Sequence, residues 1–293
     1  MNRFTSYIVV GLGLIVGLTA CALVRPARME NVDSFTTYPD GRVSELMATD
    51  LVEWGTKLRL QIIYKKPEGR GPFPLLLFNH GSTRNNPDKN RVPLYFDTIA
   101  DYFVRHGWMV AVPQRRGRGW SDGIYDEGYA CNSVTAWQGI ERALTDIGAA
   151  LDVLVARPEV DGRHVVIGGH SRGGISSVVF AGQNPKRVQG VINFVGGWVS
   201  ENCSDINAIH RLLFREGAAF PKPMLWIYSP QDPLYSTAHS QSNFDHFSEK
   251  GGKGTFIVTG LGHASWQHLS SWRRHVATYM HRLGYHEFPA PDG

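Results

Sequence analysis

The stretch "VVIGGHSRGG", residues 165–174, decides how this chain is read. Its apolar start reads as a buried strand, and the run then ends at a polar serine hemmed in by glycines. A strand that only filled a core has no use for Gly169, Gly173 and Gly174 crowded around His170 and Ser171. Gly169-His170-Ser171-Arg172-Gly173 fits G-x-S-x-G, with a strand before it and a helix expected after it at Ile175–Ala181. That is the pattern of a nucleophile held on a sharp strand-to-helix turn. Gly169 and Gly173 leave room for the strained turn, and Gly174 lets the helix pack closely on the sheet. The helix N-terminus then brings its positive dipole end to Ser171.

A serine hydroxyl is a weak nucleophile at neutral pH and needs a base, which in turn needs an orienting acid. Downstream, "MLWIYSPQDPLY" (224–235) ends a strand and presents Asp232. "TFIVTGLGHASW" (255–266) ends the next and presents His263. Both follow a strand's carboxyl end, the edge where parallel sheets place their ligands. Asp205 is a second possible acid, whereas Asp245 reads as part of a solvated helix face. His170 reads as a packing or supporting hydrogen-bond residue, and His80 as a structural hydrogen bonder.

Outward from this motif, strands and helices alternate. Ser44–Thr49 and Lys57–Lys65 read as an opening antiparallel pair, and Pro74–Asn79 as a short strand ending in a turn. Leu94–His106 carries Tyr95, Phe96, Ile99, Tyr102 and Phe103 at helical spacing, and Ala136–Ala156 repeats the pattern over a longer span. Trp108–Val112, His164–Gly168, Val188–Val195, Met224–Tyr228 and Thr255–Val258 read as strands, the last three as buried parallel ones. Helices are expected at Ile206–Arg215, Thr237–Lys250 and Ser265–Leu283. The alternation predicts an α/β domain over 41–293, a mostly parallel sheet with helices on both faces.

The 293 residues suffice for one sizeable core. The net charge of +4 is scattered, and the densest basic cluster, Arg115, Arg116 and Arg118, is too small to argue for nucleic acid. The chain has no phosphate-binding G-x-x-x-x-G-K-S/T loop, no C-x-x-C pair and no H-E-x-x-H, so no metal or organic cofactor is expected.

Residues 1–20 have a short basic start and an apolar run, the pattern of a secretory signal. Leu18-Thr19-Ala20-Cys21 also resembles a bacterial lipobox, which implies lipidation at Cys21 and an exported, membrane-tethered protein. An uncleaved membrane anchor is the alternative. Residues 21–40 read as a polar tether. With Cys21 lipidated, Cys131 and Cys203 remain as a pair in an oxidising compartment and are expected to form a disulfide.

The chain resembles an α/β-hydrolase, similar to dienelactone-hydrolase-like and prolyl-oligopeptidase-like serine hydrolases. The resemblance spans roughly residues 44–285 and rests on NHGS (79–82), QRRGRGWSDG (114–123), GGHSRGG (168–174), YSPQDP (228–233) and GLGH (260–263). It implies a triad of Ser171, Asp232 and His263, with oxyanion donors at the backbone N–H groups of Arg172 and Ser82. It implies a structural Arg116, while Arg115 or Arg118 could meet an acidic substrate. The Cys131–Cys203 bridge would pin the pocket rim, with Trp120, Tyr125, Tyr129, Trp137 and Trp198 as candidate walls. The expected activity is hydrolysis of a small carboxylic ester through an acyl-enzyme. A peptidase or amidase is the first alternative. It is weakened because only about 20 residues separate Cys21 from the first strand, too few for a large gating domain. A non-catalytic surface lipoprotein that binds a ligand is the second.

Overall fold

A computed structural model describes residues 33–83 and 86–290. The leader, Cys21 and the first part of the expected tether lie outside the described residues.

Nine strands form one sheet: β1 (Phe35–Thr37), β2 (Val43–Glu53), β3 (Thr56–Lys65), β4 (Phe73–Asn79), β5 (Met109–Pro113), β6 (Val160–His170), β7 (Gly190–Phe194), β8 (Met224–Tyr228) and β9 (Gly254–Val258). Their spatial order is β1-β2-β3-β5-β4-β6-β7-β8-β9. The first three strands and the β3–β5 pair are antiparallel, and every pair from β5 through β9 is parallel. The helices are α1 (Pro87–Asn90), α2 (Asp97–Arg105), α3 (Ser133–Val155), α4 (Arg172–Gln183), α5 (Ile206–Gly217), α6 (Thr237–Glu249) and α7 (Leu269–Arg282).

The central strands are apolar without alternation because both of their faces are covered. In β4, Leu75 and Leu77 point into one core and Leu76 and Phe78 into the other. The first core is closed by α3, α4, α5 and α6, the second by α2 and α7. Each of these fully buried side chains contributes about 1.5–3 kcal/mol of transfer free energy. The chain lays β5 on one side of β4 and then crosses to lay β6 on the other. The loops after β4 and β6 therefore emerge side by side, with Asn79 paired to Gly169. This is where an open α/β sheet forms a crevice.

The structure departs from the sequence reading at several places. The expected tether ends early, because Phe35–Thr37 pairs with Val43–Glu45 as β1. Strand β6 begins at Val160 and β2 runs on to Glu53, each longer than its apolar run. The last helix is split: a short turn at Ser265–Gln267 precedes α7, with His268 between them outside helical geometry. Strand β9 is not buried. It is the sheet's edge, and Val258 is 43% exposed.

Candidate active site

Ser171 sits between β6 and α4 with φ 57 and ψ −124, a conformation that L-residues rarely adopt. The surroundings hold it there. Its N–H donates to the Phe194 carbonyl at 3.0 Å, and its carbonyl accepts from Gly174 at 2.9 Å. A Cβ at Gly173 would stand 2.0 Å from the Asn79 carbonyl oxygen, and one at Gly169 would lie 2.4 Å from Gly173. The two flanking glycines of the motif are thus required by the packing of the elbow against β4.

Asp232 and His263 come together at the ends of β8 and β9. His263 Nδ1 donates to Asp232 Oδ2 at 2.7 Å, and the Asp232 side chain is fully buried. The other carboxylate oxygen accepts from the backbone N–H groups of Leu234 at 2.8 Å and Tyr235 at 3.2 Å. The carboxylate is thereby oriented, and it fixes the imidazole proton on Nδ1, which leaves Nε2 as the basic nitrogen. His263 and Ser171 line the same cavity. Asp205 is exposed at the start of α5, and Asp245 is exposed on α6, where it accepts from Gln241. Neither reaches His263.

His170 supports the histidine loop from beneath. Its Nε2 donates to the His263 carbonyl at 2.7 Å, and the two rings lie 4.7 Å apart. Burial, with the neighbouring His263, lowers the His170 pKa to about 3, so the ring is neutral.

The turn after β4 lies against the elbow. A Cβ on Gly81 would meet the Ser171 Cβ at 3.0 Å and His170 Nδ1 at 3.2 Å. Ser82 follows and lines both cavities that meet at Ser171. As the first residue of α4, Arg172 has a backbone N–H without an intrahelical acceptor. Arg172 follows the nucleophile directly and Ser82 lines the cavities at it, so both residues stand beside the place where an oxyanion would form. His80 is fully buried: its Nε2 accepts from the Arg115 N–H at 3.2 Å, and its Nδ1 donates to the Gly81 carbonyl at 2.7 Å. Both nitrogens hold the turn's shape.

The arginine-rich loop is structural. Arg116 binds Asp146 of α3, with Nε to Oδ1 at 2.6 Å. Arg115 pairs with Glu127 and donates to the His80 carbonyl at 2.9 Å. Arg118 donates to Thr83 and Asn90 and stacks on Tyr125. Neither Arg115 nor Arg118 lines the cavities at Ser171, so the acidic-substrate role considered for them has no geometry behind it.

Two cavities flank Ser171. One, of about 360 Å³, is lined by Tyr129, Arg172, Trp198, Ser200, Asn202 and Tyr235, with Cys131 and Cys203 at its rim. Those cysteines are joined as a disulfide, Cα–Cα 5.5 Å. The other, of about 440 Å³, is lined by Leu94, Tyr95, Phe96, His263, Ala264 and Trp266. Of the five expected walls, Tyr129 and Trp198 line the first cavity. Trp120, Tyr125 and Trp137 line neither. The Tyr125 hydroxyl is turned to Glu127 at 2.8 Å, Trp137 packs on the larger core, and the Trp120 backbone N–H donates to Gln61 at 2.9 Å.

Two groups carry weight here that the sequence did not single out. Glu127 is a buried carboxylate between Arg115 and Arg172. Burial pushes its pKa up, but the two guanidinium groups outweigh this and hold it below the usual carboxylate range. The Arg172 side chain is the second. Its Nε donates to the Trp198 carbonyl at 2.8 Å and its Nη atoms to the Glu127 and Gly128 carbonyls at 3.1 Å. It lies between the Tyr129 and Trp198 rings, 4.2 and 4.3 Å from their centroids. No local pattern announces either partner.

Comparisons with known proteins agree with this fold. Residues 93–215 match the family model described as serine aminopeptidase, S33, less than half of the chain. No curated protein matches the chain in sequence. Among solved structures, an esterase of Pyrococcus furiosus is similar at a TM-score of 0.58 and 14% identity, covering 89% of this chain and 97% of its own. Est1E from Butyrivibrio proteoclasticus is similar at 0.56 and 16% identity, covering 81% and 98%. The acylaminoacyl peptidase of Pyrococcus horikoshii is similar at 0.60 and 15% identity, covering 89% of this chain but 43% of its own. Sheet order, the elbow at Ser171 and these likenesses together identify the chain as a protein of the α/β-hydrolase fold.

Proposed function

We propose that this protein is a serine hydrolase that cleaves a carboxylic ester. The observation that carries the reading is the 2.7 Å bond from buried Asp232 to His263, which lines the same cavity as the strained Ser171. Ser171 Oγ attacks the ester carbonyl as His263 takes its proton, and the backbone N–H groups of Arg172 and Ser82 receive the oxyanion. The C–O bond then breaks, the leaving oxygen takes the proton from His263, and the alcohol departs. Water, deprotonated by His263, cleaves the acyl-enzyme to the acid and restores Ser171. These steps use side chains and backbone of this chain alone.

A peptidase or amidase is the second reading, favoured by the description of the matching family model. The same residues would serve it, with an amine as the leaving group.

We further propose export and lipid attachment at Cys21. The Cys131–Cys203 disulfide supports an oxidising compartment. No helix among the described residues is long and apolar enough to cross a membrane.

Treatment with a fluorophosphonate, followed by intact mass, tests the nucleophile. One adduct on the wild type and none on Ser171→Ala is expected; an unlabelled wild type would overturn the reading. Paired ester and anilide substrates separate the two activities, and anilide turnover matching ester turnover would favour the peptidase.

A further inference from the structure

We propose, resting on the roles given above to Ser171 and His263, that the ester carries its apolar bulk on the alcohol side and a polar, uncharged acyl group. Two cavities meet at Ser171, Ser82 and Leu234, and they differ in chemistry. The 440 Å³ cavity is walled by Leu94, Phe96, Pro233, Ala264 and Trp266. The 360 Å³ cavity is more mixed, with Ser200, Asn202, Tyr129 and Tyr235 set among the apolar Trp198 and Val199.

The histidine assigns the substrate's two ends. When the tetrahedral intermediate collapses, the leaving oxygen must take a proton from His263 and so must lie within hydrogen-bond reach of it. His263 lines the larger, apolar cavity and not the smaller one. The alcohol's substituent therefore continues into the apolar cavity. The acyl chain leaves the reacting carbon in the other direction, past Arg172.

Arg172 does not make that second cavity a carboxylate site. Its Nε, Nη1 and Nη2 all donate to backbone carbonyls, and its charge faces Glu127 at 3.7 Å. It is the one charged side chain among the described residues that line this cavity. A charged acyl group would lose hydration there for a guanidinium whose charge Glu127 already offsets and three of whose N–H groups are committed. The Ser200 hydroxyl and the Asn202 amide suit a neutral acyl group that forms hydrogen bonds, while the Tyr129 hydroxyl is paired with that of Tyr125 at 2.7 Å.

Isomeric reverse esters test the orientation, since they hold the same atoms and have leaving alcohols of similar acidity. Wild-type protein should cleave 2-naphthylmethyl acetate with a kcat/KM about tenfold or more above that of methyl 2-naphthylacetate. A ratio at or below one overturns the assignment. Ala264→Trp, and the milder Ala264→Leu, should each lower that ratio; an unchanged ratio in variants that still take the fluorophosphonate also overturns it. For the acyl end, 2-naphthylmethyl methyl succinate should exceed the charged 2-naphthylmethyl hemisuccinate by about tenfold, and the reverse order overturns the uncharged-acyl claim. Protein that is labelled but cleaves none of these esters refutes the substrate class and leaves the nucleophile standing. Wild type that is not labelled refutes the nucleophile itself.

Discussion

At the scale of single residues, the site depends on atoms that have no room to move. Asp232 holds His263 through one oxygen and two backbone N–H groups through the other. Asp232→Asn keeps the shape but can reverse the imidazole tautomer. The expected result is a fall in kcat of about three to four orders of magnitude, with an unchanged urea midpoint. Gly173→Ala acts differently. Its Cβ would stand 2.0 Å from a backbone oxygen of the neighbouring strand, which no side-chain adjustment relieves. A loss of about 1–3 kcal/mol in urea unfolding is expected, together with slower fluorophosphonate labelling. A variant as stable and as reactive as the wild type would show that the elbow has slack.

At the scale of elements, loops are locked to the sheet by buried charge and by a covalent bond. Glu127 compensates Arg115, which holds the turn after β4, and Arg172, which braces the wall at Trp198. Glu127→Gln leaves two buried guanidinium groups short of a counter-charge. The expected cost is about 3 kcal/mol or more by urea unfolding, with a larger fall in ester hydrolysis than a distant core substitution of equal cost produces. The disulfide joins the loop before α3 to the loop before α5, 72 residues apart in sequence. Loop-closure entropy puts its contribution at about 4 kcal/mol. Replacing both Cys131 and Cys203 with Ser should lower stability by about that amount and reduce discrimination among acyl groups, because both cysteines rim the acyl-side cavity.

At the scale of the whole molecule, buried neutral histidines set an acid limit. Burial lowers the pKa of His80, His170 and His210, that of His170 to about 3. Each is near 6.5 in the unfolded chain. Between the two values the unfolded state binds more protons, so stability rises with pH and falls as pH drops below about 6.5. The urea midpoint should therefore be lower at pH 5 than at pH 7. His210 accepts from the Trp198 backbone N–H at 2.8 Å and contacts His239 at 2.9 Å, so acid also strains the acyl-side wall. His210→Gln should flatten the pH dependence even where it lowers stability overall. A midpoint that does not change between pH 5 and pH 7 would contradict this account.

The sequence by itself determined the parallel strands, the elbow and the chain order of its partners. Unbroken apolar runs mark strands, though the one at Thr255–Val258 lies exposed at the sheet's edge, and a G-x-S-x-G turn is a local steric solution that local residues can announce. The strand ends at Asp232 and His263 were legible for the same reason, since a short apolar run shows where it stops. The tertiary structure alone decided the rest. That Asp232 meets His263, that Gly81 presses on Ser171 and that Glu127 lies between two arginines depends on strand order, which brings together loops distant in the chain. Trp120, Tyr125 and Trp137 read as walls because they are aromatic residues in the right loops. Which way a loop side chain points is set by its neighbours across the fold, and no spacing in the sequence records those neighbours.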